Sequence, residues 1–394
     1  MRNGSQVLAP IPRDGRGAVT AGGILKILSV VGGRPNFPKI APILEAMTEA
    51  PEIVSRLVHT GQHYDHAMSQ AFFEDLAIPA PDFFLGVGSG SHAEQTAKVM
   101  IAFEQVLLGE RPDLVVVVGD VNSTLAAALV AAKCLVPVAH VEAGLRSGDR
   151  TMPEEINRIL TDHCADYLFT HSDDADANLR AEGIPGEKIF LTGNVMIDTL
   201  RKCEGLARKR RTAEGLGLSA QGYALLTLHR PSNVDDPAVF GRILDGLEAV
   251  LADLPVLFPI HPRSRKRLEE FGLGARIARL GNLRLTDPLG YLTFLGLMME
   301  ARLVLTDSGG IQEETTALGV PCLTLRESTE RPVTVRLGTN RLVGTDPDRL
   351  RQEARRILEG GSPRGSLPPL WDGQAAKRIV AILRRHSRSR KDSA

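Results

Sequence analysis

Short β-rich runs alternating with helix-patterned stretches constrain this chain more than any other feature, because a parallel sheet covered by helices is what accommodates them. ILKILSVV (24–31) reads as a buried strand, followed by a Gly32-Gly33-Arg34-Pro35 turn and a helix to about Ala50. Ser91-His92-Ala93-Glu94 has the spacing of a capping box and opens a helix to about Leu108. LVVVV (Leu114–Val118), PVAHV (137–141), DYLFT (166–170) and KIFLT (188–192) are further strands, each trailed by a helix, with Pro153 at the first turn of a helix over 154–165. Around 200–222 the chain turns polar, which marks a hinge, and then the pattern restarts. YALLTL (223–228), VLFPI (256–260), LRLT (Leu283–Thr286), LVLT (Leu303–Thr306) and CLTL (322–325) form the second series.

Two series imply an α/β chain of two doubly wound domains, over 24–200 and 201–370, with ligand sites outside the carboxyl ends of the strands in an interdomain cleft. At 394 residues the chain is long enough for both cores. Residues 371–386 read as a last helix packing back on the first domain, 387–394 as a basic solvated tail, and 1–23 as a disordered extension. That extension has no apolar segment of the kind a signal peptide needs. Lys and Arg total 47 against 47 Asp and Glu, so nothing in the bulk favours nucleic acid. The longest apolar runs are strand-length, far below the roughly 20 residues of a membrane span. Four scattered cysteines without a CxxC pair suit a reducing, cytoplasmic setting. Without an HxH or HxxxH pair, no metal site is expected.

Polar residues stand directly after the strands: Asp120, Glu142, His171, His229, His261 and Asp307-Ser308. So many at one rim of two sheets point to a shared cleft. In Ser308-Gly309-Gly310 the glycines let backbone N–H groups approach an anion at a helix N-terminus, with Glu314 one turn in to accept from a ribose diol. The plainer reading is a serine cap on a tight turn. Arg331 adds charge to the same anion, and Arg34 and Lys39 meet phosphate or sugar from the other domain; each alone reads equally as a surface cation. Gly86-Val87-Gly88-Ser89-Gly90 imitates a dinucleotide fingerprint, but no acid follows about 20 residues on, so it reads as a loop and no nicotinamide cofactor is expected. Asp120, Glu142 and Glu154, with Arg158 on the face of Glu154 at i, i+4, look like general acid/base equipment, joined by His229 and His261.

Together these stretches resemble a known family. GGRPNFPKIAPIL (32–44), HTGQHYDH (59–66), GDVNST (119–124), HVEAGLRSGDRTMPEEINR (140–158), GNVMID (193–198), LHRPSN (228–233), TDSGGIQEE (306–314) and ESTERP (327–332) are similar to the ordered signature of the non-hydrolysing UDP-N-acetylglucosamine 2-epimerases. The resemblance implies two Rossmann-like domains in a glycosyltransferase-B-like fold, a homodimer, a UDP-sugar substrate and no cofactor. It places acid/base groups at Asp120, Glu142, Glu154 and His229 with Arg158 in support. Nucleotide-sugar contacts fall to Arg34, Lys39, His261, Phe294, Ser308, Gly309, Gly310, Glu314 and Arg331, and a second, activating UDP-sugar to Gln62 and His63. The turn reads RPNFPK where many members have RPEAIK, and LHRPSN replaces the frequent GHRREN, which bears on substrate detail. The expected reaction is inversion at C2 by elimination of UDP and its re-addition to a 2-acetamidoglucal. A C2 epimerase of a UDP-2,3-diacetamido uronic acid, a hydrolysing relative and a glycosyltransferase-B-type transferase are the rivals, and a non-catalytic sensor is the remaining alternative.

Overall fold

The computed structural model describes residues 24–62, 72–361 and 365–392. The expected extension (1–23), His63 and the last two residues of the basic tail lie outside the described residues. The first sheet contains β1 (Leu25–Val31), β2 (Ile53–His59), β3 (Phe83–Phe84), β4 (Leu114–Val118), β5 (Val138–Val141), β6 (Tyr167–Thr170) and β7 (Ile189–Leu191), in the order β3-β2-β1-β4-β5-β6-β7. The second holds β8 (Ala224–Thr227), β9 (Val256–Pro259), β10 (Leu283–Thr286), β11 (Leu303–Thr306), β12 (Cys322–Thr324) and β13 (Asn340–Leu342), in the order β10-β9-β8-β11-β12-β13. All neighbouring strands run parallel. Helices cover both faces, so β4 is buried along its whole length and its sequence is uninterrupted valine after Leu114.

Strand order reverses beside β1 in the first sheet and beside β8 in the second. The crevices that such reversals open lie past the carboxyl ends of β1 and β4, and of β8 and β11. The residues there are the Gly32–Arg34 turn, Asp120, His229 and Asp307.

The helix Val195–Lys209 knits the halves together, packing on Phe37–Thr48 of the first and Tyr291–Glu300 of the second. It runs through the boundary expected at 200/201, so the chain crosses between halves only after Lys209. Beyond the helix Pro347–Leu358 the chain returns to the first half. Trp371 is buried and donates its Nε1–H to the His171 carbonyl at 2.8 Å. Asp198 accepts the N–H groups of Ala375 and Ala376 at 3.1 and 2.8 Å, capping the final helix Ala375–Asp392, which lies on Phe37–Thr48. Burial pushes the Asp198 carboxyl up to about 6. The helix expected over 371–386 thus begins later and continues to Asp392, through most of what reads as tail. Arginine and lysine have good helix propensity, so charge alone does not end it. Among the described residues no helix is long and apolar enough to cross a membrane.

Candidate active site

The front rim is built from three consecutive carbonyls fixed from different elements. The Val118 oxygen accepts from Asn36 Nδ2 at 2.8 Å and Thr124 Oγ1 at 2.9 Å. The Gly119 oxygen lies 2.8 Å from His140 Nε2, and the Asp120 oxygen accepts from Asn157 Nδ2 at 2.9 Å. Gly119 has φ +69, the left-handed region that favours glycine, and a Cβ there would stand 2.9 Å from Lys39 Nζ. The Asp120 carboxylate meets Arg158 at 2.5 Å. Arg158 also pairs with Glu155 at 2.6 Å rather than with Glu154, the partner its i, i+4 spacing suggests. Positions 155 and 158 are i, i+3 neighbours on the buried face, whereas Glu154 is half-exposed and directs its field at Arg230.

Glu142 adopts φ +72, a left-handed backbone uncommon for a non-glycine residue and of the kind found where a site dictates geometry. Its buried carboxylate lies between Lys39 Nζ and Arg331, the latter at 2.6 Å. Burial opposes the charge, but these two cations hold the carboxyl below its usual range.

The back rim starts at Asp307, which is fully buried. Its Oδ2 accepts the N–H groups of His229 and Arg230 at 2.9 and 2.8 Å, and its Oδ1 lies 2.7 Å from His229 Nδ1. Burial raises the Asp307 carboxyl less than His229 and the backbone donors lower it. The imidazole of His229 is thereby oriented with Nε2 as the nitrogen left to exchange a proton. His261 stands 5.9 Å from it, ring centre to ring centre, and its Nδ1 accepts the Arg263 N–H at 3.2 Å. Burial, His229 and Arg34 push His261 down to about 4, so near neutrality it is an uncharged donor through Nε2. The field of Arg34 on His261 shows the front turn facing the back half. Ser308 precedes the helix Gly309–Leu318 without a side-chain cap, so the first N–H groups of that helix and the serine hydroxyl remain for an anion.

Arg331 joins the rims. Its buried guanidinium reaches Glu330 at 2.5 Å, Glu142 at 2.6 Å and Glu313 at 3.0 Å. A Cβ on Gly309 would fall 2.3 Å from its Nη1, so the same group lies against the serine turn. Glu330 also meets Arg326 at 2.7 Å and Arg230 at 3.4 Å, and Glu313 meets His171 at 3.2 Å.

The structure therefore gathers Arg34, Lys39, Asp120, Glu142, Glu154, Arg158, His229, His261, Ser308, Gly309 and Arg331 at the facing rims. Gly310 follows in the same turn, against Met196. Glu314 is buried with its Oε1 accepting the Tyr291 hydroxyl at 2.7 Å, and burial raises its carboxyl to about 7. Phe294 is half-buried against the core. Gln62 sits beneath the Gly32 turn, accepting from Ser123 Oγ at 2.7 Å. Glu313 and Glu330 escape a reading by strand ends because both lie inside later segments. The signal available for Glu313 is its position one turn after Gly309, on the face of the helix that carries the serine turn. Among the described residues no group of three or more His, Cys, Asp or Glu is disposed to hold a metal ion.

The sequence model of the UDP-N-acetylglucosamine 2-epimerases matches residues 45–384. The chain belongs to the UDP-N-acetylglucosamine 2-epimerase family. It is 45% identical over 364 residues to the UDP-N-acetylglucosamine 2-epimerase of Methanocaldococcus jannaschii, covering 91% of this chain and 99% of that protein. It is 42% identical over 363 residues to the UDP-2,3-diacetamido-2,3-dideoxy-D-glucuronate 2-epimerase of Pseudomonas aeruginosa, covering 91% and 99%. The crystal structure of the M. jannaschii enzyme in complex with UDP-GlcNAc and UDP superposes with a TM-score of 0.86 at 44% identity, over 91% of this chain and 99% of that one. The two parallel sheets around one cleft are the glycosyltransferase-B-like architecture of this epimerase family.

Proposed function

We propose that this chain interconverts UDP-N-acetylglucosamine and UDP-N-acetylmannosamine by inverting C2 of the sugar. The observation that carries the reading is Arg331, which touches Glu142 and the Ser308-Gly309 turn at once and so places acid/base carboxylates beside a diphosphate-binding helix end. C2 has no neighbouring carbonyl, so its proton is not acidic enough for direct removal and return. Elimination avoids that problem. The C1–O bond to UDP breaks as a base takes the C2 proton, leaving a 2-acetamidoglucal; UDP then re-adds at C1 while a proton arrives on the opposite face of C2.

Arg34, the Ser308-Gly309-Gly310 turn and Arg331 stabilise the departing diphosphate, with His261 as a neutral donor. Lys39 holds Glu142 anionic. Asp120, Glu142, Glu154 and the Asp307-oriented His229 move the two protons, and Arg158 steadies Asp120. Glu314 takes the ribose and Phe294 the base. Closure of the cleft keeps glycal and UDP from water. Gln62, with His63, is assigned to a second, activating UDP-sugar.

We also assign a homodimer to the first half. Ala93, Ala97, Met100, Pro153 and Ile156 line an open groove of about 490 Å³, and exposed Ile101 and Leu160 extend it along the same two helices, the kind of apolar face that a second copy covers. Light scattering should give twice the chain mass.

A second substrate has one observation in its favour. Arg326, paired through Nη2 with Glu330, keeps its Nη1 buried without a hydrogen-bond partner, a spare cationic donor suited to a uronate carboxylate. Incubation with UDP-N-acetylglucosamine alone, followed by 1H NMR, tests the assignment. UDP-N-acetylmannosamine should appear; turnover of the diacetamido uronate only would transfer the reading to that sugar. Free N-acetylmannosamine plus UDP would mean a hydrolysing enzyme, and a strict need for an acceptor a transferase.

A further inference from the structure

His140 lies in β5 with no exposed surface, two residues before Glu142. Its Nδ1 stands 2.6 Å from Asp162 Oδ1, and its Nε2 stands 2.8 Å from the carbonyl oxygen of Gly119, the residue before Asp120. Both neighbours are acceptors. A neutral imidazole offers one N–H and one lone pair, so either tautomer would point a lone pair at an oxygen inside the core. Two arrangements avoid this: a ring protonated on both nitrogens, or a protonated Asp162 that donates to Nδ1.

The surroundings of Asp162 decide between them. Its Oδ2 is 2.8 Å from Arg146 and accepts the Gly144 N–H at 3.1 Å, so that oxygen is already committed as an anion's acceptor. Arg146 is itself held by Glu182 at 2.7 Å. Burial opposes the charge on Asp162, but the always-charged Arg146 and the Gly144 N–H on Oδ2 favour the anion without any help from His140. We infer that His140 is a positioning residue whose ring carries a proton on each nitrogen, and that this cation pins the Asp120 turn to the strand leading into Glu142.

The ring is the middle clamp of the front rim, between Asn36 and Thr124 on Val118 and Asn157 on Asp120. Asp162 supplies its counter-charge from the helix Pro153–Cys164, which also carries Arg158, the partner of Asp120. Loss of the clamp frees the carbonyl directly before Asp120, and displacement of a reacting group by about 1 Å can cost about 10²-fold in rate. This kinetic consequence rests on the assignment of Asp120 and Glu142 as acid/base groups; the charge state does not.

The experiment is 15N NMR of the full chain labelled at histidine, at a pH above the pKa of about 6.5 of unperturbed histidines. One ring, assigned by its loss in His140→Gln, should show protons on both nitrogens while exposed rings show one. A neutral ring overturns the inference whatever reaction the protein runs. Asp162→Asn should remove the second proton. His140→Gln keeps one donor for Gly119 but no charge, and should lower kcat about 10²-fold with KM little changed. If that variant fails to fold, the resonances are assigned by the other histidine substitutions and the wild-type spectrum decides. A folded His140→Gln with wild-type kcat removes the positioning role even if the ring is charged.

Discussion

Replacing Gly309 by alanine tests the joint between the two rims with one methyl group. Gly309 does not occupy the left-handed region, so its backbone accepts alanine without strain, and alanine is the better helix former by up to about 1 kcal/mol. Propensity alone therefore predicts a slightly more stable protein. The space predicts the opposite. The new Cβ would stand 2.3 Å from Arg331 Nη1, 2.7 Å from Cζ and 2.7 Å from Glu330 Oε1, where ordinary contact begins at 3.4 Å. The guanidinium has to retreat by about 1 Å, and its remaining ligands, Glu142 at 2.6 Å and Glu313 at 3.0 Å, belong to buried elements that cannot follow. Overpacking of this kind costs about 1–3 kcal/mol. The displaced cation no longer bridges Glu142 and the serine turn, so kcat/KM should fall about 10²-fold. Initial rates of epimerisation by 1H NMR, with thermal melts of the free protein, give both numbers. Gly310→Ala is the packing control, since its Cβ would meet only Met196 Cε at 3.5 Å, and its melting temperature should hold or rise by the helix-propensity gain. A Gly309→Ala protein that melts higher and turns over normally would refute the bridging role of Arg331.

Three further outcomes follow from the same geometry. Asp120→Asn and Glu142→Gln should each lower kcat by about 10²–10⁴, and near-normal rates would remove that residue from the acid/base set. Burial holds Glu314 at about 7 against 4.5 for a free carboxyl, so the stability it allows is full below pH 4.5 and is lost as pH rises to 7. Glu314→Gln should therefore flatten the decline in melting temperature across that window; parallel curves for the two proteins would contradict the burial argument. Trp371→Ala should cost about 3–5 kcal/mol in urea melts, because a buried ring and its bond to the His171 carbonyl go together. A cost below about 1 kcal/mol would mean that the C-terminal strap contributes little to the fold.

What the sequence discloses follows from burial. β4 and β11 are continuous short runs buried along their whole length, and their limits read correctly from the letters. β2 does not, because Ser55 and Arg56 interrupt IVSRLVH and its pattern is part exposed; full-length register against β1 is what makes it a strand. β13, three residues long, carries too little pattern to read. The rim acids and histidines are legible because parallel sheets place strand ends together. The ionic joint is not, since nothing in the spacing shows that Arg158 turns to Glu155, or that Arg331 collects Glu313 and Glu330 as well as Glu142. Those choices depend on which side chains the packed helices leave room for.

Turnover of UDP-N-acetylglucosamine in D2O asks most directly whether the facing carboxylates and the serine turn act on one sugar nucleotide by elimination and return. UDP-N-acetylmannosamine formed there should carry deuterium at C2, delivered by a rim acid/base group that has exchanged with solvent. Product that keeps its original C2 proton would contradict this account.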